Sequence, residues 1–286
     1  MTIVDDALVP VRSWLAEQIR SRVVGGDQPE LKMAAVIETP GPRWFDDDAV
    51  IKRVHADAAM FIGGLRALLL QSLHPLAMAG VAQHSDYRTD PWGRLQRTAD
   101  FLAATTFGPA DMAERAVARV RAVHTRVTGT AGDGRRYAAN DPHLMRWVHV
   151  AEVDSFLTTH RRHGATPLSD ADADAYVADT ALVAEALGVT HPPRSVRELR
   201  DEIADFRPEL QGTAEARDAA RFLIVTPPLP LPARGPYLAL ASAAVASLPV
   251  WARWPLRLPW FPVSERVLVR PLGSATTQVI RWSLTA

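Results

Sequence analysis

The histidine in ARVRAVHTRVTG, His124, stands on the apolar stripe of a helix. Val120 precedes it by four residues and Val127 follows by three, so helical spacing sets its imidazole among aliphatic side chains. An imidazole in such surroundings needs a hydrogen-bond partner or a metal. Two more histidines share the pattern: His149 in LMRWVHVAEVDSF aligns with Met145, Val153 and Phe156, and His74 sits at a helix end in SLHPLAMAG. Singly, each reads as a hydrogen-bonded core histidine; two or three in one helical domain point to a site. Beside them, PWGRLQRTADF spaces Arg94, Arg97 and Thr98 as i, i+3 and i+4. Two guanidinium groups and a hydroxyl thus project from nearly one side of a helix that also carries Leu95, Phe101 and Leu102. The trio reads either as a solvated face with ordinary salt bridges or as the polar mouth of a pocket suited to an anion, a propionate or bound oxygen.

Several chemistries drop out. The chain has no cysteine, which removes disulfides, Cys-ligated zinc, thiolate-ligated iron and a Cys nucleophile. Paired Glu-x-x-His motifs of a di-iron bundle are missing, although His149-x-x-Glu152 presents the reverse order once. HExxH, GxSxG, a P-loop and a GxGxxG before a helix are also missing, so hydrolase and kinase readings fall away, and GGL at 63–65 is a small-residue contact. His160-x-x-His163 lies in the polar stretch THRRHG and reads as solvated. A flat hydrophobic cofactor held by one histidine suits what remains, as one candidate among several.

The elements that must position these groups are helical. With 286 residues, 48% hydrophobic and 22% charged, the chain can bury a large core. Thirty-two basic residues balance 32 acidic ones, so no global field favours nucleic acid. Helical periods dominate, with helices expected at 11–23, 47–72, 76–83, 91–106, 110–128, 141–163, 169–187, 195–204, 213–223, 235–247 and 264–282. The expected class is all-α: a single globular helical domain. Breakers fall at 25–29, 129–134 and 226–236, the last proline-rich enough to act as a stiff extended crossing. The apolar stretch AAMFIGGLRALLLQSLHPLAMAGVA is broken by Arg66, Gln71, His74 and Pro75, and reads as a buried core helix ending before Pro75 rather than a membrane span. The acid-bearing start MTIVDDALVP lacks the pattern of a secretory signal, so the expectation is an unexported, cytoplasmic protein. Near the C-terminus, LPVWARWPLRLPWFP interleaves Trp251, Trp254, Trp260 and Phe261 with Arg253 and Arg257. It reads first as a strap packing its tryptophans on the core, and second as a peripheral membrane contact or partner-docking patch.

Four runs, in order, carry a resemblance: LLLQSLHPLAMAGVAQHS, PWGRLQRTADFL followed by TTFG, VRAVHTRVTG, and YAANDPHLMRWVHVAEVDSF. Together they resemble the haem-dependent oxygenase family that includes rubber oxygenase (latex clearing protein) and the mycophenolic-acid-pathway oxygenase, over roughly residues 45–230. The resemblance implies a globin-like helical core holding haem b, with the iron ligand falling on His124 and a recurring pocket histidine on His149. It places the family's RxxxT pattern on Arg94 and Thr98, and puts Arg97 where rubber oxygenases carry a lysine; a guanidinium stays protonated and is a poor iron ligand.

The expectation that follows is a haem b-dependent oxygenase acting with O2 on a small apolar alkene, isoprenoid or lipid-like. Arg94, Arg97 and Thr98 are its catalytic groups, His124, His149 and Arg94 hold the cofactor, and His124 ligates the iron. Residues 1–44 would form an N-terminal helical extension, 45–230 the oxygenase-like core, and 231–286 a C-terminal strap and helix packed on it. The rival readings are a haem-binding or sensing protein without turnover, and a cofactor-free helical protein that binds lipid or a partner. The peripheral membrane contact would run through Trp251, Trp254 and Trp260.

Overall fold

A computed structural model describes residues 3–23, 25 and 29–284. The chain runs as α1 (Ile3–Val23), α2 (Pro29–Ile37), α3 (Val50–His55), α4 (Ala59–Gln71), α5 (Pro75–His84), α6 (Pro91–Phe107) and α7 (Ala110–His124). A hairpin of β1 (Thr128–Thr130) and β2 (Arg136–Ala138) follows, then α8 (Pro142–His163), α9 (Asp170–Leu187), α10 (Val196–Phe206), α11 (Ala214–Ile224), α12 (Leu231–Ser247), α13 (Val250–Arg253), α14 (Pro262–Ser264) and α15 (Arg270–Leu284). The all-α class holds: one helical domain whose strands, among the described residues, are limited to that antiparallel pair.

Local chemistry explains most helix starts. Asp90 accepts the Gly93 N–H and Pro91 opens α6; Asp141 accepts the His143 N–H and Pro142 opens α8. Ser169 and Asp172 form a reciprocal capping box at α9, which stops at Gly188 in the left-handed region (φ 108°).

The core is organised by α4 lying along α8. Gly63 makes this approach possible, since a Cβ there would sit 2.6 Å from Phe156 and 2.8 Å from the Thr159 hydroxyl. Leu69, Leu70 and Leu73 meet Trp147, Val150 and Ala151 in the same interior, all at most 2% exposed, while Ile62 packs with Leu240, Ala243 and Ala244 of α12. Arg66, buried among them, donates to Ser247 O, Ser155 Oγ and Asp154 Oδ2. α5 leaves α4 at 108°. Among the described residues no single helix is long and apolar enough to cross a membrane; α4 and α5 pass such a test only jointly, across that bend.

Several sequence expectations are corrected. The single helix expected over 47–72 breaks into α3 and α4, because Asp57 accepts the Ala59 N–H and also receives Arg281 from α15. The helix expected to reach 128 stops at His124, and its continuation pairs as β1. The proline-rich crossing is extended only to Pro230: α12 starts at Leu231, and Pro232 falls in its first turn, where a missing N–H loses no helical bond. α2 was not expected, and the break at 25–29 falls largely outside the described residues. His160 and His163 are not solvated. α12 and α15 cover the end of α8, leaving them 3% and 4% exposed, with His163 Nδ1 2.9 Å from Ser274 Oγ. The aromatic strap packs only in part: Trp251 lies against the core beneath Arg207, whereas Trp254 is 71% and Phe261 63% exposed.

Candidate functional site

α6 and α7 are joined by only Gly108 and Pro109 and pack on each other as a helical hairpin. At 1.5 Å per residue, Arg94 and His124 lie at comparable distances from that turn, each about 20 Å along its helix. The hairpin otherwise rests on α1, α2, α3 and α9, while α8 rests on α3, α4, α5, α9, α10, α12 and α15. The hairpin and α8 meet chiefly through α3, which packs on both α6 and α8, and α9, which packs on both α7 and α8.

His149 and Glu152 share one face of α8 with Phe156, whose ring meets His55 of α3 edge-on at 5.6 Å between centroids. Each of His55, His149 and Glu152 keeps some accessible surface. Yet burial pushes His55 down to about 3 and His149 down to about 4, and lifts the Glu152 carboxyl to about 7. Their remaining accessible surface is therefore recessed, and burial dominates their ionisation. His55 is fastened there: its Nδ1 lies 2.9 Å from Thr106 Oγ1 of α6 and its Nε2 3.2 Å from the Tyr176 hydroxyl of α9. Burial, reinforced by Glu152 and Asp179, keeps that phenol protonated well above its ordinary range.

His124 ends α7, half-buried, with its pKa lowered by burial so that the imidazole is neutral near pH 7. Its Nδ1 is sealed from solvent without a hydrogen-bond partner, as is Nε2 of His149. A buried polar atom left so costs about 1–3 kcal/mol, and a neutral imidazole offers a lone pair to a metal. The apolar surroundings and these unpartnered nitrogens fit a flat, histidine-ligated cofactor such as haem.

The three groups of α6 divide. Arg94 turns inward, donating to Ser85 Oγ at 2.8 Å, and desolvation lowers its pKa. Arg97 extends to the surface and pairs with Asp90 at 3.3 Å; Thr98 is exposed and donates to Arg94 O. The structure therefore brings Arg94 to the same end of the hairpin as His124 and leaves Arg97 and Thr98 on its outer flank. His55 was not singled out in the sequence, and Glu152 was noted only as the acid of the reversed His149-x-x-Glu152 pattern, without a role. Glu152 could have been given one, as an unpaired acid three residues after His149 in an apolar run; α3 is too short to show which face His55 occupies.

The chain belongs to the family described as ER-bound oxygenase mpaB/B'/Rubber oxygenase, catalytic domain, whose profile matches residues 52–282. No curated protein and no solved structure matches it. Membership makes the chain an oxygenase-family catalytic domain of the oxidoreductase class, and bears out the family read from the four sequence runs.

Proposed function

We propose that this protein is a haem b-dependent oxygenase that acts with O2 on an apolar alkene of isoprenoid or lipid-like character, with His124 as the iron ligand. The observation that carries the reading is the His124 imidazole, neutral and with its Nδ1 sealed without a partner at the open end of the α6–α7 hairpin, in a chain of an oxygenase family. Bound haem would supply the activation of dioxygen.

The chain's own groups do the rest. The neutral His124 ring presents a lone pair, and the cofactor and an apolar substrate would sit in a space between it and the His149 face of α8, away from bulk water. Arg94, already half desolvated, offers a fixed positive charge toward developing negative charge on oxygen. Thr98 and Arg97, on the outer flank of α6, would act only after turning inward: Thr98 from the Arg94 carbonyl and Arg97 from Asp90. His149 lines the space, and Glu152, titrating near 7, can hold or release a proton at its carboxyl oxygen. We place the protein in the cytoplasm, peripheral to a membrane. Trp254 and Trp260 are exposed at the contact surface beside Arg257, with Trp251 as the anchor that packs inward.

The test is an absorption spectrum with pyridine haemochrome quantitation on protein expressed with haem precursor, comparing wild type with His124→Ala. One haem per chain in wild type, lost in the variant with helical circular dichroism intact, is the expected result. A variant that retains haem removes His124 as ligand, and a wild type without haem removes the reading.

A further inference from the structure

We propose that His74, His143 and Glu209 form a second metal site, distinct from the space beside His124, that takes one divalent transition cation of the zinc class. One nitrogen from each imidazole and one carboxylate oxygen all lie within 4.8 Å of one another. Individual pairs are closer: His143 Nε2 is 3.0 Å from both Glu209 oxygens, and His74 Nε2 is 3.4 Å from Oε2. Ligands about 2.0–2.2 Å from a tetrahedral zinc stand roughly 3.4 Å apart, so a contraction of about an ångström closes the shell.

His74 gives the second, independent observation. It is 1% exposed, stands at the N-cap of α5 without capping it, and neither ring nitrogen has a hydrogen-bond partner. Its approach to Glu209 is too poorly aligned to satisfy either nitrogen. An ion pair between His143 and Glu209 accounts for those two residues at the surface, but leaves a buried imidazole unsatisfied on both sides. A cation that accepts the Nε2 lone pair satisfies that nitrogen.

The ligands are held in advance by three separate elements. Gln211 N–H donates to Leu73 O at 2.7 Å, which ties the segment carrying Glu209 to the residue before His74. Asp141 caps the turn of α8 that carries His143. Phe206 packs beside both rings, its centroid 4.7 Å from His143 and 6.4 Å from His74, and Trp147 closes the inner wall. Arg135 is the cation whose field reaches both His74 and Glu209, and it is engaged by Asp133 at 2.7 Å. Two imidazoles and one carboxylate suit Zn2+, Co2+, Ni2+ or Fe2+ over Ca2+ or Mg2+, which prefer all-oxygen shells. Because His143 and Glu209 remain solvent-accessible, a fourth position opens to water.

The test is calorimetric titration of Zn2+ into the full-length, chelator-stripped protein, with His143→Ala, Glu209→Gln and, as a control at another histidine, His84→Ala. One equivalent of Zn2+ in wild type and His84→Ala, weakened by about tenfold or more in both other variants, is expected. Both variants change accessible side chains and leave buried His74 in place, so folding confirmed by circular dichroism keeps the comparison valid. No binding at millimolar Zn2+ overturns the proposal. So does equal affinity in either ligand variant, a loss in His84→Ala, or Mg2+ binding as tightly as Zn2+.

Discussion

Arg66 on α4 and Asp154 on α8 meet at 2.6 Å, the guanidinium 3% exposed and the carboxylate 24% exposed. The asymmetry sets which partner can be lost. Asp154→Ala strands a buried charge that keeps only Ser155 and Ser247, and is expected to cost about 2–4 kcal/mol. Arg66→Met fills the site with an apolar side chain, leaves a carboxylate that water can reach, and should cost about 1–2 kcal/mol. Urea unfolding of the two singles and the double measures this; a larger loss for Arg66→Met contradicts it.

Adjacent glycines on α4 should respond with opposite signs. Gly63→Ala drives a Cβ into Phe156 and Thr159 and is expected to destabilise by about 1–3 kcal/mol. Gly64→Ala meets nothing within 4 Å among the described residues and should stabilise by about 0.5–1 kcal/mol through helix propensity alone. Thermal denaturation separates the two, and equal shifts would mean that α4 and α8 are less closely apposed.

His55 makes the fold acid-sensitive. Its pKa falls from 6.5 to about 3 on folding, so between those values the unfolded chain binds the extra proton. The stability from this group is complete above pH 6.5 and is lost as pH falls toward 3. His55→Gln can still bridge Thr106 and Tyr176 and is expected to flatten the acid limb of stability against pH, read by chemical denaturation at pH 4.5 and 7.5. His149 and His163, each lowered to about 4, and His74, His124 and His160, also lowered by burial, add to the slope. An unchanged slope in the variant would clear His55 of the effect.

Glu152 works in the opposite sense. Folding raises its pKa from 4.5 to about 7, so the native state holds the proton longer and stability declines as pH rises across that interval. Glu152→Gln should therefore be stabilising by on the order of 1–3 kcal/mol at pH 8 and near neutral at pH 4.5. A variant no more stable than wild type at pH 8 would show that the carboxylate has a partner or water in solution.

Within the proposed oxygenase, Arg94→Ala is expected to keep haem and reduce O2 consumption with an isoprenoid panel by about tenfold or more, by analogy with removal of one charged donor. Thr98→Val should have a smaller effect of the same sign. Undiminished rates in both would move the reacting face away from α6.

The features legible in the sequence are those set by neighbours in the chain. Ser169 with Asp172, Asp90 with Pro91, and the stop at Pro75 act over a few residues, so α9, α6 and the end of α4 were readable to within a few positions. His124 and His149 were readable as inward histidines because helical period alone sets their faces. What was missed depends on distant partners. Asp57 breaks the 47–72 helix while paired with Arg281, 224 residues away, and His160 and His163 are covered by helices that begin 68 residues or more beyond the end of α8. Glu209 gains its interest only where α10 brings it beside His74 and His143, and Arg97 points outward because Asp90, which caps α6, also attracts its guanidinium.

The α4–α8 pairing also governs the order in which the chain can fold as it is made. Arg66 waits 88 residues for Asp154 and 181 for Ser247. At roughly 5–20 residues per second of synthesis, that is about 4–18 s before α8 exists and up to about 36 s before α12 arrives. Through that interval the Ala67–Leu70 face of α4 lacks the α8 surface that buries it in the finished fold, so this core closes late in synthesis rather than helix by helix.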